Sequence, residues 1–187
     1  MKNFVLSFVA LTAFFSFSTS QAAHVIQAGR DAKVKMVVHG DYQCPFTAKL
    51  AGVLEQIRTE YPDQVAIYFA HFPLSFHDQA VSAAIAASCA DRQGLFWSYS
   101  KALLHNQTKL AEDYYPQLAD ALQIQDRNAF EACLKEPGVK SQVEIEYLVG
   151  EATGVGGTPT LFINGEAVRG VYPFSHYQEI IDRLLAK

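Results

Sequence analysis

The sequence is poor in cysteine and in charge. Only three of its 187 residues are cysteine and 18% are charged, with 15 Lys and Arg against 19 Asp and Glu. No dense run of Lys or Arg occurs. That excludes nucleic acid as a partner, because binding a phosphate backbone needs a concentrated basic surface. No glycine-rich loop stands before a helix in the order that cradles a nucleotide phosphate. Gly154, Gly156 and Gly157 follow a helical stretch and precede Pro159, which reads as a turn. The six histidines lack the regular spacing of a zinc site: His71 and His77 lie six apart across Pro73, with no paired carboxylates at ligand spacing. No metal is expected. Internal repeats, low-complexity tracts and linkers are also missing. Beyond the N-terminal segment, no apolar run is long enough to span a bilayer.

The N-terminus carries one such run in short form. Lys2 is a positive start, Phe4 to Phe17 is apolar, and Ser18-Thr19-Ser20-Gln21-Ala22-Ala23 offers small residues for signal peptidase. Residues 1–22 are therefore read as a signal peptide, cleaved after position 22 or 23. The absence of cysteine at that point excludes a lipid anchor. About 165 residues remain, enough for one well-cored domain and too few for two ordinary ones. Losing Lys2 leaves 14 basic against 19 acidic residues, a net charge near −5. The expected location is the periplasm or the exterior, with no membrane association after cleavage. Such a compartment permits stable disulfides. With Cys44, Cys89 and Cys133, the odd count leaves at least one thiol free or shared with another molecule.

The hydrophobic patterning predicts a β-α-β unit, a helical block and a β-β-α unit. Lys33 to His39 is a β-rich run. After the loop Gly40 to Gln43, the residues Phe46, Leu50, Val53, Leu54 and Ile57 recur at helical spacing, and Tyr61-Pro62-Asp63 ends that helix. Val65 to Phe72 is a second strand. Helices are expected over His77 to Gln93, Leu95 to Asn106, Glu112 to Gln123, Asp126 to Lys135 and Val139 to Thr153. Thr158 to Ile163 is a strand opening at a proline, Asn164-Gly165 is a hairpin turn, and Glu166 to Val171 returns. Phe174 to Leu185 closes the chain as an amphipathic helix.

Cys44 stands at the junction of the first strand and the first helix. Pro45 fits the first turn of a helix, where its missing N–H costs nothing. Unpaired backbone N–H groups and the positive end of the dipole favour thiolate over thiol there, and the thiolate is the nucleophile. Pro45 and Phe46 give the position an apolar approach suited to a peptide-like partner. His39, five residues earlier, either lies near the sulfur or is a plain strand-end residue. Asp41 and Tyr42 either line the site or only shape the turn.

Several ordered segments resemble one family. His39-Gly40-Asp41-Tyr42-Gln43-Cys44-Pro45-Phe46-Thr47 is similar to the active-site segment of the exported DsbA-like proteins of thioredoxin fold. So are His71-Phe72-Pro73-Leu74 with His77, Ala87-Ser88-Cys89-Ala90 leading to Gly94-Leu95-Phe96-Trp97, Phe130 to Leu134, and Gly154 to Thr160 with Asn164-Gly165. The likeness runs from about Lys33 to the C-terminus. It implies an α/β thioredoxin-like fold over residues 33–187, with a helical insertion at about 77–153. It implies that Pro159 is a cis-proline, which would set Thr158 and Pro159 opposite Cys44 and let the Thr158 backbone pair with an extended substrate. It implies a structural disulfide between Cys89 and Cys133. Closing that loop stabilises by on the order of 4 kcal/mol in the chain-entropy account.

One departure limits what the resemblance carries over. The family's segment ends Cys-Pro-x-Cys, and Thr47 stands where the second cysteine belongs. A single thiolate can attack a disulfide but cannot release itself from the mixed disulfide alone. The expectation is an exported thiol–disulfide oxidoreductase working through Cys44. Thr47 would donate a hydrogen bond to the sulfur, and an external thiol, such as glutathione or the cysteine of a redox partner protein, would resolve the intermediate. The partners are protein or peptide thiols and disulfides, no cofactor is required beyond glutathione as a co-substrate, and the chain is expected to be a monomer. Two other readings stand beside it: a redox-inactive chaperone-like module that binds peptides or clients in the same groove, and a glutathione-dependent transferase or isomerase.

Overall fold

The structure, a computed structural model, describes residues 23–187; the expected signal peptide at 1–22 lies outside the described residues. Strand β1 spans His24–Gln27, β2 Val34–Gly40 and β3 Val65–His71, with helix α1 (Pro45–Glu60) between the last two. Five helices follow: α2 (Ala80–Asp91), α3 (Phe96–His105), α4 (Tyr114–Ala121), α5 (Arg127–Cys133) and α6 (Pro137–Ala152). The chain ends with β4 (Thr160–Ile163), β5 (Glu166–Arg169) and α7 (Phe174–Leu185).

The five strands form one sheet in the order β1-β3-β2-β4-β5. Strands β2 and β3 run parallel and are joined through α1, while every other neighbouring pair is antiparallel. Alternation along β2 sends Met36 and Val38 to one face and Val37 and His39 to the other. The first face joins a core with Phe69, Leu161 and Ile163 from neighbouring strands and Leu50, Leu54 and Ile57 from α1. Tyr177, Ile180 and Ile181 of α7 complete that core. On the opposite face, Val149 of α6 lies beside His39, Tyr68 and Phe162.

Sequence reading begins the fold at Lys33 and misses β1. Four residues with little alternation carry too weak a signal, and the strand is defined by its partner β3. His24 pairs with Phe69 in the ladder, and its ring stacks on Phe96 at 4.5 Å. Burial alone would lower the pKa of His24. Its hydrogen bonds to Asp91 and Glu146, with the charges of both carboxylates, outweigh that and raise it to about 9. In the helical block Pro116 lies within the first turn of α4, where a missing N–H is tolerated. Asp126 caps α5 by accepting from the Ala129 N–H. Cys89 of α2 and Cys133 of α5 form a disulfide with S–S 2.00 Å and Cα–Cα 5.7 Å, tying the two helices together.

Gly40, the last residue of β2, is set by close approach. A Cβ there would lie 2.5 Å from the Phe69 ring and 3.0 Å from Cγ2 of Thr47. Phe69 is fully buried and cannot swing away. Gly40→Ala is therefore expected to destabilise the protein by about 1–3 kcal/mol through overpacking, measured as a lower urea midpoint. An unchanged midpoint would mean that the first turn of α1 is looser than its contacts require.

Candidate active site

Cys44 is the N-cap of α1, with extended backbone (φ −72°, ψ 119°), and Pro45 occupies the first turn. Its carbonyl accepts from the Ala48 N–H at 3.2 Å, which opens the helix. Cys44 is the free cysteine of the described residues and is 4% exposed. Its Sγ lies 3.2 Å from the Thr158 carbonyl oxygen, to which the thiol donates. The Thr158–Pro159 bond is cis. The strand pairing explains the meeting: β4 lies antiparallel to β2, with His39 opposite Thr160, so the segment entering β4 passes over the loop leaving β2. The Thr158 Oγ1 is buried without a hydrogen-bond partner. Beside the sulfur, Phe46 is half exposed, with the Lys49 ammonium 5.3 Å from its ring centre. Phe76 is also exposed and packs on His77.

Thr47 is buried one turn into the helix. Its hydroxyl accepts from the Asp41 N–H at 3.4 Å and makes no hydrogen bond to Cys44 Sγ. The expected donation to the sulfur is thus replaced by a contact that closes the loop. The reason is orientation: Thr47 points inward beneath Gly40, whereas Sγ points across to Thr158.

His39 does not serve the sulfur either. Gly40 shares a face with Phe69 and the first turn of α1, so His39, one residue earlier, points to the other side. There it packs edge-on against Phe72 and Phe162, next to Gly150 of α6. Burial lowers its pKa.

Asp41 is the residue whose part sequence reading left undecided. Its carboxylate is fully enclosed and accepts from the backbone N–H groups of Gln43 and Leu74, both at 2.7 Å, and meets Nδ1 of His77 at 2.9 Å. It thereby holds the loop before Cys44 against the segment after β3. Gln107 was not singled out by any sequence signal. Its Nε2 donates to the carbonyls of Tyr42 at 2.7 Å and Cys44 at 3.0 Å, bracing the same loop from the helical block. Tyr42 fills the space behind it, its hydroxyl on Ser100 at 2.8 Å; burial raises its pKa well above the usual phenol value. Asp41→Ala leaves two part-buried N–H groups without their acceptor and is expected to cost about 2 kcal/mol, read as a fall in unfolding free energy in urea. A cost below about 1 kcal/mol, the worth of one ordinary hydrogen bond, would show the loop to be held by packing instead.

The arrangement can present one sulfur, next to an exposed aromatic and a backbone carbonyl, to an extended partner. Cys89 and Cys133 are bonded to each other in α2 and α5, and neither is available to Cys44.

Comparison with known proteins places this geometry. A family profile described as thioredoxin matches residues 21–183. A thioredoxin-like oxidoreductase from Silicibacter pomeroyi superposes with a TM-score of 0.78 at 22% identity, covering 89% of this chain and 94% of that one. BdbD from Bacillus subtilis gives 0.79 at 20% identity, covering 89% and 94%. Among curated proteins, a Na+/H+ antiporter of Mycolicibacterium gilvum is 30% identical over 143 residues, 75% of this chain. The chain spans about a quarter of the length of the curated relatives it matches, 23% in that case. Among the described residues, no helix is long and apolar enough to cross a membrane. The architecture is the α/β thioredoxin-like fold of DsbA type, with helices α2 to α6 between β3 and β4.

Proposed function

The chain belongs to the thioredoxin family, and on that footing we propose that it is an exported thiol–disulfide oxidoreductase acting through a single nucleophilic cysteine, Cys44. The observation that carries this reading is the placement of the Cys44 sulfur at a helix N-terminus, 3.2 Å from the Thr158 carbonyl oxygen beside cis-Pro159. The exposed Phe46 and the Thr158 backbone offer an apolar contact and a strand-like edge to a peptide.

The reaction has two steps. The Cys44 thiolate attacks one sulfur of a substrate disulfide; a new S–S bond forms as the old one breaks, and the other sulfur leaves as thiolate. An external thiolate, from glutathione or a partner protein, then attacks the substrate sulfur of the mixed disulfide. Cys44 leaves as thiolate, and the substrate carries a new disulfide to the incoming thiol. The sum is disulfide exchange without net oxidation of the protein. Thr47 contributes no sulfur and holds the loop through Asp41. The remaining assignments are part of the same reading: export by the N-terminal segment, a periplasmic or extracellular location, protein or peptide thiols as substrates, and a monomeric state.

The test is trapping. The purified protein is mixed with glutathione disulfide and with a disulfide-bonded peptide, and adducts are read by intact mass without reduction. One adduct per chain, released by added glutathione, is expected. No adduct with either probe would overturn the reading. Retained peptide binding in Cys44→Ala would then favour the chaperone-like module.

A further inference from the structure

Away from Cys44, the structure brings together three ligating side chains far apart in sequence. His24 comes from β1, His71 from the end of β3 and Glu146 from α6. One ligand atom from each lies within 4.8 Å of the others. The Glu146 and His24 side chains are 1% and 11% exposed, and His71 is fully buried. We propose that His24, His71 and Glu146 bind one divalent transition ion of the zinc class, which clamps the edge strand β1 and helix α6 to the end of β3.

The donor set is two imidazole nitrogens and one carboxylate oxygen. That set suits zinc and its neighbours, whereas calcium and magnesium take oxygen ligands. Nε2 of His24 lies 3.4 Å from Oε1 of Glu146. Two ligands of a tetrahedral zinc with bonds of about 2.0–2.1 Å stand about that far apart. Nδ1 of His24 meets Asp91 at 2.7 Å, the outer carboxylate that fixes a metal-binding histidine in its tautomer. Oε2 of Glu146 is held by the backbone N–H of His71 at 2.7 Å. One ring nitrogen of His71 belongs to the trio. Its Nε2 lies 3.0 Å from the Ser88 hydroxyl, which is also 3.4 Å from Nε2 of His24, and its Nδ1 is buried with no hydrogen-bond partner. Without metal, the His24 ring bridges Asp91 and Glu146; uptake displaces a proton from Nε2, as ligation of a histidine requires.

The test uses the full chain with Cys44→Ser, so that no thiolate competes for metal, stripped with chelator. Zinc is titrated against a chromophoric chelator. One equivalent is expected to bind, with a rise in Tm. His24→Ala and Glu146→Gln should weaken binding by about 100-fold or more, and Asp91→Asn by about 10–100-fold. His105→Ala, at an exposed histidine, should bind like the parent. Absence of stoichiometric binding, or equal binding in His24→Ala, overturns the proposal. Should those variants misfold, X-ray absorption at the zinc edge of the parent decides: two imidazoles and a carboxylate support it, and a shell of water oxygens alone refutes it.

Discussion

Cys44→Ser is expected to lose mixed-disulfide formation by more than about 100-fold, because a serine hydroxyl at neutral pH is a far weaker nucleophile than a thiolate. The wild-type chain should gain a single glutathionyl adduct from glutathione disulfide, and the variant none. The substitution removes one thiol hydrogen bond to the Thr158 carbonyl and supplies a hydroxyl in its place, so the fold should be retained. A far-ultraviolet spectrum and urea midpoint close to wild type would confirm that the loss is chemical. Since Cys89 and Cys133 are bonded to each other, an adduct persisting in the variant could come only from opening that disulfide, and peptide mapping would reveal it. Exchange at the wild-type rate in Cys44→Ser would end the single-cysteine mechanism.

The second large effect is a gain. Thr47→Cys restores the Cys-Pro-x-Cys pattern and should let Cys44 close on its neighbour. The variant is expected to form an intramolecular disulfide and to oxidise a reduced dithiol peptide in stoichiometric fashion. Two peptide thiols are consumed, one peptide disulfide forms and the protein is left as the dithiol. Without added glutathione, the wild type cannot do this, so the ratio of rates should exceed about tenfold. Thr47 is buried and its one hydrogen bond, from the Asp41 N–H, is long at 3.4 Å. The stability cost should stay near 1 kcal/mol. Failure of the introduced thiol to pair with Cys44 under oxidising conditions, in a folded variant, would show that position 47 is not the place of a resolving thiol in this fold. The helix register would then have to be reconsidered.

Much of the fold was legible because its signals are local. The β-rich run from Lys33 to His39, the helical spacing of Leu50, Leu54 and Ile57, and the turn at Asn164-Gly165 each act within a few residues. Helix ends were less legible: α2 starts at Ala80 and α4 at Tyr114, two or three residues inside the expected bounds. Capping and tertiary packing trim a helix more than its hydrophobic pattern does. Strand β1 escaped notice because an edge strand of four residues exists through its partner, not through its own pattern.

The candidate site divides in the same way. That Cys44 opens a helix after a strand follows from the sequence alone, since strand, proline and helix periodicity are consecutive; that Thr47 stands in place of a second thiol is what the resemblance to the DsbA-like family implies. What only the tertiary structure decided are the encounters across long separations. Thr158 meets Cys44 from 114 residues away because β4 pairs with β2. His39 turns from the sulfur because a strand sends successive side chains to opposite faces. His24, His71 and Glu146 converge because β1 docks on β3 and α6 packs against the end of β3. Local periodicity sets which elements form; which side chains touch depends on the order and facing of those elements, and these are settled only when the sheet assembles.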